Sequence, residues 1–273
     1  MIHRAYRAGL IGAGAAVSGA VATALMFLGL GFGQAESARP GNDVIARSLA
    51  SSVQLFTERE GGTRRSASGV VLSIDADGTM IILTAGHLLS PLVSQTVHVA
   101  LPGHDARVEA SILAFDAEAD VAVLEARDIA ATPVEIQTSA RLGDDVWVVS
   151  FPWGQRGTVV SGRVSQVTGT EANTFPVEGP VGLIDAAVSY GTSGGGVFDA
   201  ESGNLVGIVR GYRTARLALP GTPSQSLEFP IAGETTVVPA LQILCTLEQK
   251  SLTARAGLPP ALAAQLLTAC PRA

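Results

Sequence analysis

The sequence is poor in the residues that build metal centres or bind nucleic acids. It contains two cysteines and four histidines, and neither set has the spacing of a zinc site, so no metal and no cofactor are expected. The formal net charge is −6, and the longest basic run is the pair Arg64 and Arg65. Without a basic patch to contact phosphates, nucleic acid is not an expected partner.

Charged residues are also missing from a long N-terminal stretch. Arg4 and Arg7 precede an uncharged run over residues 8–35. Its most apolar part has the length of a signal-peptide core followed by small residues, while the whole run is long enough to span a bilayer. The sequence therefore predicts that residues 1–38 are a signal peptide or an N-terminal membrane anchor. Either reading predicts a periplasmic or secreted protein, tethered to the inner membrane if the anchor is kept.

Helical periodicity is nearly absent between about residues 48 and 240. Short β-branched runs separated by Gly, Asp, Asn and Pro predict antiparallel strands there. The clearest predicted strands are 68–74, 79–85, 96–101, 107–115 and 121–125 in the first half, and 146–151, 158–167, 183–188, 195–199 and 205–212 in the second. Two sets of about six short strands predict an all-β fold of two closed barrels, because closure removes exposed strand edges. The barrels are expected at about 48–130 and 142–236.

The pattern turns helical after residue 240. Apolar residues at helical spacing predict one helix from 241 to about 255 and a second over 261–269, so that 241–273 form a short helical tail. Cys245 and Cys270 lie near these two helices. In an exported protein they are expected to form a disulfide that holds the second helix against the first, and two buried free thiols are the alternative.

A glycine-rich loop between two apolar strands is the strongest chemical signal. It reads Gly-Thr-Ser-Gly-Gly-Gly over residues 191–196. Its glycines allow a sharp turn that presents the hydroxyl of Ser193 and points the N–H groups of Gly191 and Ser193 inward. Such donors stabilise the oxyanion that forms in acyl transfer. Taken alone, the same loop fits a flexible connection equally well.

A serine hydroxyl needs a base, and the sequence offers one at the end of an apolar strand. His87 follows that strand, and its imidazole can take up and return a proton. Asp120 begins a buried strand, where a carboxylate can orient the imidazole. Asp116 and Glu118 are alternatives in a more polar turn. Because histidine, acid and serine occur in this order across the two halves, we expect His87, Asp120 and Ser193 to form a catalytic triad.

With these motifs the sequence resembles the trypsin-like serine proteases of the chymotrypsin fold, and among them the bacterial Deg or high-temperature-requirement group. The resemblance covers about residues 45–240. It rests on Thr-Ala-Gly-His at 84–87, Asp-Val-Ala-Val-Leu at 120–124, and the stretches 143–167 and 185–209. It implies a serine endopeptidase that cleaves protein or peptide substrates through an acyl-enzyme, outside the cytoplasm. The oxyanion hole would be formed by the N–H groups in the 191–193 segment.

The resemblance also implies a substrate pocket made by Ala187, Val209, Arg210 and Gly211. Ala187 would lie at its base, where the absence of an acid disfavours cleavage after Lys or Arg and favours small or medium aliphatic residues. Arg210 departs from the group, since a small polar residue is usual there. Residues 241–273 are too few for the group's C-terminal peptide-binding domain, so that domain is not expected.

Two other functions are compatible with the sequence. One is a catalytically silent protease-like protein that serves in binding or structure, which would need a misformed loop around Gly191. The other is ester hydrolysis by the same triad, since acyl transfer is common to both reactions.

Overall fold

A computed structural model describes residues 41–59, 62–91, 95–102, 106–169, 177–219 and 222–270. The segment that the sequence predicts to be a signal peptide or anchor, residues 1–38, lies outside them. The helices are α1 (Asn42–Ala50), α2 (Ala240–Gln249) and α3 (Pro260–Ala269). The strands are β1 (Ser52–Arg59), β2 (Arg64–Ile74), β3 (Met80–Ala85), β4 (Gln95–Ala100), β5 (Arg107–Asp116), β6 (Val121–Ala126), β7 (Ala140–Arg141), β8 (Asp145–Ser150), β9 (Thr158–Val167), β10 (Glu178–Gly179), β11 (Val181–Ile184), β12 (Gly196–Asp199), β13 (Leu205–Leu219) and β14 (Thr222–Pro239).

The strands close into two antiparallel barrels. The first has the order β1-β2-β3-β6-β5-β4, and the second has the order β11-β14-β13-β12-β8-β9. The short strands β7 and β10 pair separately. The predicted all-β fold of two six-stranded barrels with a short helical tail is confirmed. None of the helices within the described ranges has both the length and the apolar character needed to cross a membrane.

Apolar side chains on the central strands face two different cores. Along β3, Ile82 belongs to the interior of the first barrel, whereas Ile81 and Leu83 belong to a cluster that also contains Phe198 and Ile208 of the second barrel. Successive side chains of a strand point to opposite faces. A strand that is buried on both faces is therefore expected to contain consecutive apolar residues, as β3 does over residues 80–83. The outer face of β3 contributes to a core that the two barrels share where they meet.

Several elements differ from the sequence-based expectations. The predictions omitted α1, β1 and β14, which carry many polar residues and lack a clean apolar pattern. Strand β13 runs seven residues past its predicted end at 212, because it pairs with β14 as a long hairpin. The strand predicted over 183–188 ends at Ile184. Helix α2 ends at Gln249 instead of about 255, and Ser251 beyond it has a φ of 57°, which a helix cannot accommodate.

The C-terminal tail packs into the core between the barrels. Ile243 and Leu247 of α2 and Leu266 of α3 are fully buried in that cluster. The Ser73 hydroxyl of β2 donates a hydrogen bond to the carbonyl of Arg255 (2.8 Å), whose guanidinium pairs with a carboxylate of the first barrel. The tail thus contacts both barrels.

Cys245 and Cys270 are joined by a disulfide in the structure, with Cα atoms 5.3 Å apart and a sequence separation of 25. That the bond forms in solution stays a prediction. Mass spectrometry of the non-reduced, periplasmically expressed protein should show the linked peptides. Replacing both cysteines by alanine should lower the free energy of unfolding by about 3 kcal/mol, because a loop of this size no longer restrains the unfolded chain. Alkylation of both cysteines without reductant would contradict the prediction.

Candidate active site

A histidine and a buried carboxylate meet where β3 leaves the first barrel. His87 lies in a single 3-10 turn, Gly86–Leu88, directly after β3. Its Nδ1 atom lies 3.0 Å from Oδ2 and 3.1 Å from Oδ1 of Asp120, and its backbone N–H donates to the same Oδ1 at 2.8 Å. Because a carboxylate accepts, this contact favours the tautomer in which Nδ1 carries the proton and the other ring nitrogen can accept one.

The exposure of the two side chains matches this division of roles. The Asp120 side chain is 9% exposed and that of His87 is 48% exposed. Asp120 has a φ of 57°, a sparsely populated conformation for a residue other than glycine, and its carbonyl accepts a hydrogen bond from the N–H of Gly86 (2.9 Å). The carboxylate is therefore fixed beneath the ring, and the ring faces the solvent.

Ser193 lies in the loop before β12 and is held from both barrels. Its carbonyl accepts the N–H of Ser68 in β2 (2.8 Å), and the next N–H, from Gly194, donates to Val209 in β13 (2.8 Å). Gly194 has a φ of 78°, and a Cβ atom there would lie 2.3 Å from the Ser68 carbonyl oxygen. Only glycine permits so close an approach of this loop to the first barrel.

Ser68 is a site residue that the sequence interpretation missed. Its buried hydroxyl donates to the carbonyl of Gly191 (2.8 Å) and accepts the N–H of Phe151 (2.8 Å). Its carbonyl accepts the hydroxyl of Thr84 (2.8 Å). No sequence pattern marks Ser68, and its role is visible only in its complete burial, because buried polar groups need specific partners.

The peptide groups of the loop leave two N–H donors unused. The carbonyl of Tyr190 accepts the N–H of Trp153 (2.8 Å), and the carbonyl of Thr192 accepts the N–H of Gly195 (2.8 Å). In a trans peptide the N–H points opposite to the carbonyl. The N–H groups of Gly191 and Ser193 therefore point away from these bonds, and neither has a backbone partner among the described residues.

His87, Gly191 and Ser193 line one cleft of about 540 Å³ between the barrels. Val209, Arg210 and Gly211 line it as the sequence interpretation expected, but Ala187 does not. Residues 185–189 run outside the strand ladder with alternating burial: Ala186 is buried, with its carbonyl bonded to Thr235, and Ala187 is exposed. The cleft is lined instead by Val188 and the two residues after it.

Arg210 approaches the carboxylate of the histidine pair. Its Nε lies 3.4 Å from Oδ2 of Asp120, and its side chain is 52% exposed. Arg65 also lines the cleft and donates to the carbonyls of Ser90 (2.8 Å) and His87 (3.3 Å). No acidic side chain is found among the residues that line this cleft in the described part of the chain.

The hydroxyl of Ser193 makes no hydrogen bond to any described residue, so the contact between serine and histidine is open. Such contacts are often long without a substrate and tighten when one binds. Within the described ranges, no three His, Cys, Asp or Glu side chains are grouped so that they could hold a metal ion.

The chain matches a protein-family model and several curated proteins. Residues 67–208 match the model of the trypsin-like peptidase domain. A probable periplasmic serine endoprotease, DegP-like, of Brucella suis is 31% identical over 181 residues, which are 65% of this chain and 33% of that protein. The chain thus spans about a third of the length of such curated relatives.

Two solved structures share the fold. The active form of the Rv3671c protease from M. tuberculosis superposes with a TM-score of 0.58 at 23% identity, covering 82% of this chain and 88% of that one. The serine endoprotease from Yersinia pestis gives a TM-score of 0.56 at 22% identity, with coverages of 79% and 67%.

Replacing Ser68 by alanine tests how far the loop depends on the first barrel. The change leaves the Gly191 carbonyl and the Phe151 N–H buried without this partner. We expect the labelling of Ser193 by a fluorophosphonate probe to slow on the order of 10- to 100-fold, because the loop is displaced.

Ser73→Ala is the matched control. Ser73 is a buried serine of the same strand that also bonds a distant carbonyl, that of Arg255, but it lies away from the cleft. Both variants should lose a similar amount of stability, about 1–3 kcal/mol. Equal labelling rates in the two variants would show that Ser68 has no special role.

Proposed function

We propose, since the chain belongs to the trypsin-like peptidase family, that it is a serine endopeptidase acting on protein or peptide substrates. His87, Asp120 and Ser193 are its proposed triad, and the N–H groups of Gly191 and Ser193 its oxyanion hole. The observation that carries the proposal is that the imidazole oriented by Asp120 and the Ser193 loop line one cleft. The loop contributes a partly exposed serine and two N–H groups without a backbone partner among the described residues.

Each group has a defined part in the reaction. His87 takes the proton of the Ser193 hydroxyl as its oxygen attacks the substrate carbonyl, and the oxyanion is stabilised by the two loop N–H groups. The imidazolium, stabilised by Asp120, then gives its proton to the departing amine. Water hydrolyses the resulting acyl-enzyme by the same steps, and no cofactor is required.

The catalytically silent alternative requires a loop in which the Gly191 N–H is turned away from the oxyanion position. The hydrogen bond from Trp153 to the Tyr190 carbonyl argues against that arrangement, because it fixes the orientation of the peptide group in question. Ester hydrolysis would use the same groups, and the curated relatives are named as endoproteases.

We also propose that the protein acts in the periplasm or as a secreted protein. The curated relatives are named as periplasmic, and the uncharged run that begins after Arg7 fits an export signal or an inner-membrane anchor. The peptidase domain is placed at residues 45–240, followed by the helical tail. Export is also the condition under which Cys245 and Cys270 would be oxidised.

Ser193→Ala should abolish both probe labelling and peptidase activity without affecting folding, since the hydroxyl that it removes makes no hydrogen bond to any described residue. His87→Ala should reduce turnover similarly, each by about 10⁶-fold, and the double variant should lose little more, because the triad acts as a unit. Circular dichroism and thermal unfolding serve as the folding control. Clear residual activity in Ser193→Ala would contradict the assignment of Ser193 as the nucleophile.

Cleavage after Lys or Arg should be rare. A basic side chain in the pocket would meet no acid, and an unpaired cation costs several kcal/mol there, whereas Val188 and Val209 fit small or medium aliphatic residues. Profiling with a proteome-derived peptide library measures this preference. Dominant cleavage after arginine would refute it.

A further inference from the structure

Two guanidinium groups flank the histidine of the cleft. Arg210, from β13 of the second barrel, reaches the Asp120 carboxylate, which is also bonded to the His87 ring. Arg65, from β2 of the first barrel, donates to the carbonyl of His87 itself. Arg210 and Arg65 therefore reach the cleft from different barrels. Arg210 contacts the carboxylate that is bonded to the His87 ring, and Arg65 contacts the backbone carbonyl of His87.

The positive charge of this pair is only partly compensated. Arg65 has two neutral carbonyl oxygens as partners, so none of its charge is cancelled by them. Arg210 has one acidic partner, Asp120, whose Oδ2 lies 3.4 Å from the Arg210 Nε. The same carboxylate already accepts hydrogen bonds from two donors of His87. The two arginines carry two formal positive charges, and Asp120 carries one negative charge. The Asp120 side chain is nearly buried, whereas the Arg210 side chain is half exposed.

Two other arginines of β13 are neutralised by acids of their own. Arg213, three residues further along β13, pairs with Glu234, and Arg216 pairs with Glu228. Neither lines the cleft. Among the described residues that line the cleft, the arginine charge without a full acidic partner is thus that of Arg65 and Arg210.

We propose that the cleft beside His87 binds an acidic side chain of the peptide substrate, with Arg210 as the main partner and Arg65 as the second. This rests on the proposed peptidase function. The acidic residue is a neighbour of the residue whose carbonyl is attacked, because the aliphatic pocket of Val188 and Val209 receives the latter. A guanidinium presents planar donors that match a carboxylate in two-point contact.

Matched peptides test the proposal. A cleaved library peptide is resynthesised with aspartate or asparagine at each of the three positions on either side of the cleaved bond, and kcat/KM is measured for each pair. At one position beside the bond the wild-type protein should prefer aspartate by about tenfold or more, as expected for a hydrogen bond to a charged group. Equal rates at every position would overturn the inference.

Variants separate recognition from structural effects. Arg210→Gln should bring the aspartate-to-asparagine ratio close to one, and Arg65→Gln should lower it in part. Arg213→Gln is the matched control and should leave the ratio unchanged. If Arg210 acts only by supporting Asp120, Arg210→Gln will slow both peptides equally and keep the ratio, which would refute its role in recognition.

Probe labelling keeps this test distinct from the proposed function. Wild-type protein that labels at Ser193 but shows no preference for aspartate contradicts the inference alone. Protein that neither labels nor cleaves any peptide contradicts the peptidase function itself. Because labelling needs no peptide side chain, it also shows whether each arginine variant still has a folded, reactive site.

Discussion

The position of the nucleophile loop depends on one buried serine of the opposite barrel. Ser68 uses its N–H, its carbonyl and its hydroxyl in hydrogen bonds that end at Ser193, Thr84, Gly191 and Phe151. Thr84 belongs to β3, and His87 follows three residues later in the turn directly after that strand. A continuous series of short bonds therefore links the loop of the second barrel to the strand that carries the histidine, and this link sets the distance between the two chemical groups.

Much of this architecture could be predicted from local sequence patterns. The buried strands were recognisable because both of their faces are apolar, and His87 and Asp120 could be identified because each adjoins such a strand. Strand β1 was missed because most of its residues are polar, although it forms a hairpin with β2, the next strand in sequence. Ser68 was missed for a related reason: its importance lies in contacts with residues more than 80 positions away, which no local pattern records.

The case of Ala187 shows the limit of transferring a position by counting from the nucleophile. The count is correct only if the chain before the loop keeps the same alternation of side chains. Here the strand ends at Ile184, and the bond between Thr235 and the Ala186 carbonyl fixes which residues face inward. The next residue is then turned out to solvent, and Val188 takes the inner position.

If both proposals hold, the contact between Arg210 and Asp120 links substrate recognition to the chemistry of the proposed triad. In the proposed mechanism Asp120 stabilises the imidazolium that forms on His87, but a guanidinium beside the same carboxylate offsets part of its negative charge. An acidic substrate side chain would give Arg210 a more exposed partner and leave more of the Asp120 charge to the imidazolium. The same contact would then favour an acidic substrate twice, once in binding and once in the step that forms the acyl-enzyme, because only interactions that strengthen in the transition state accelerate that step.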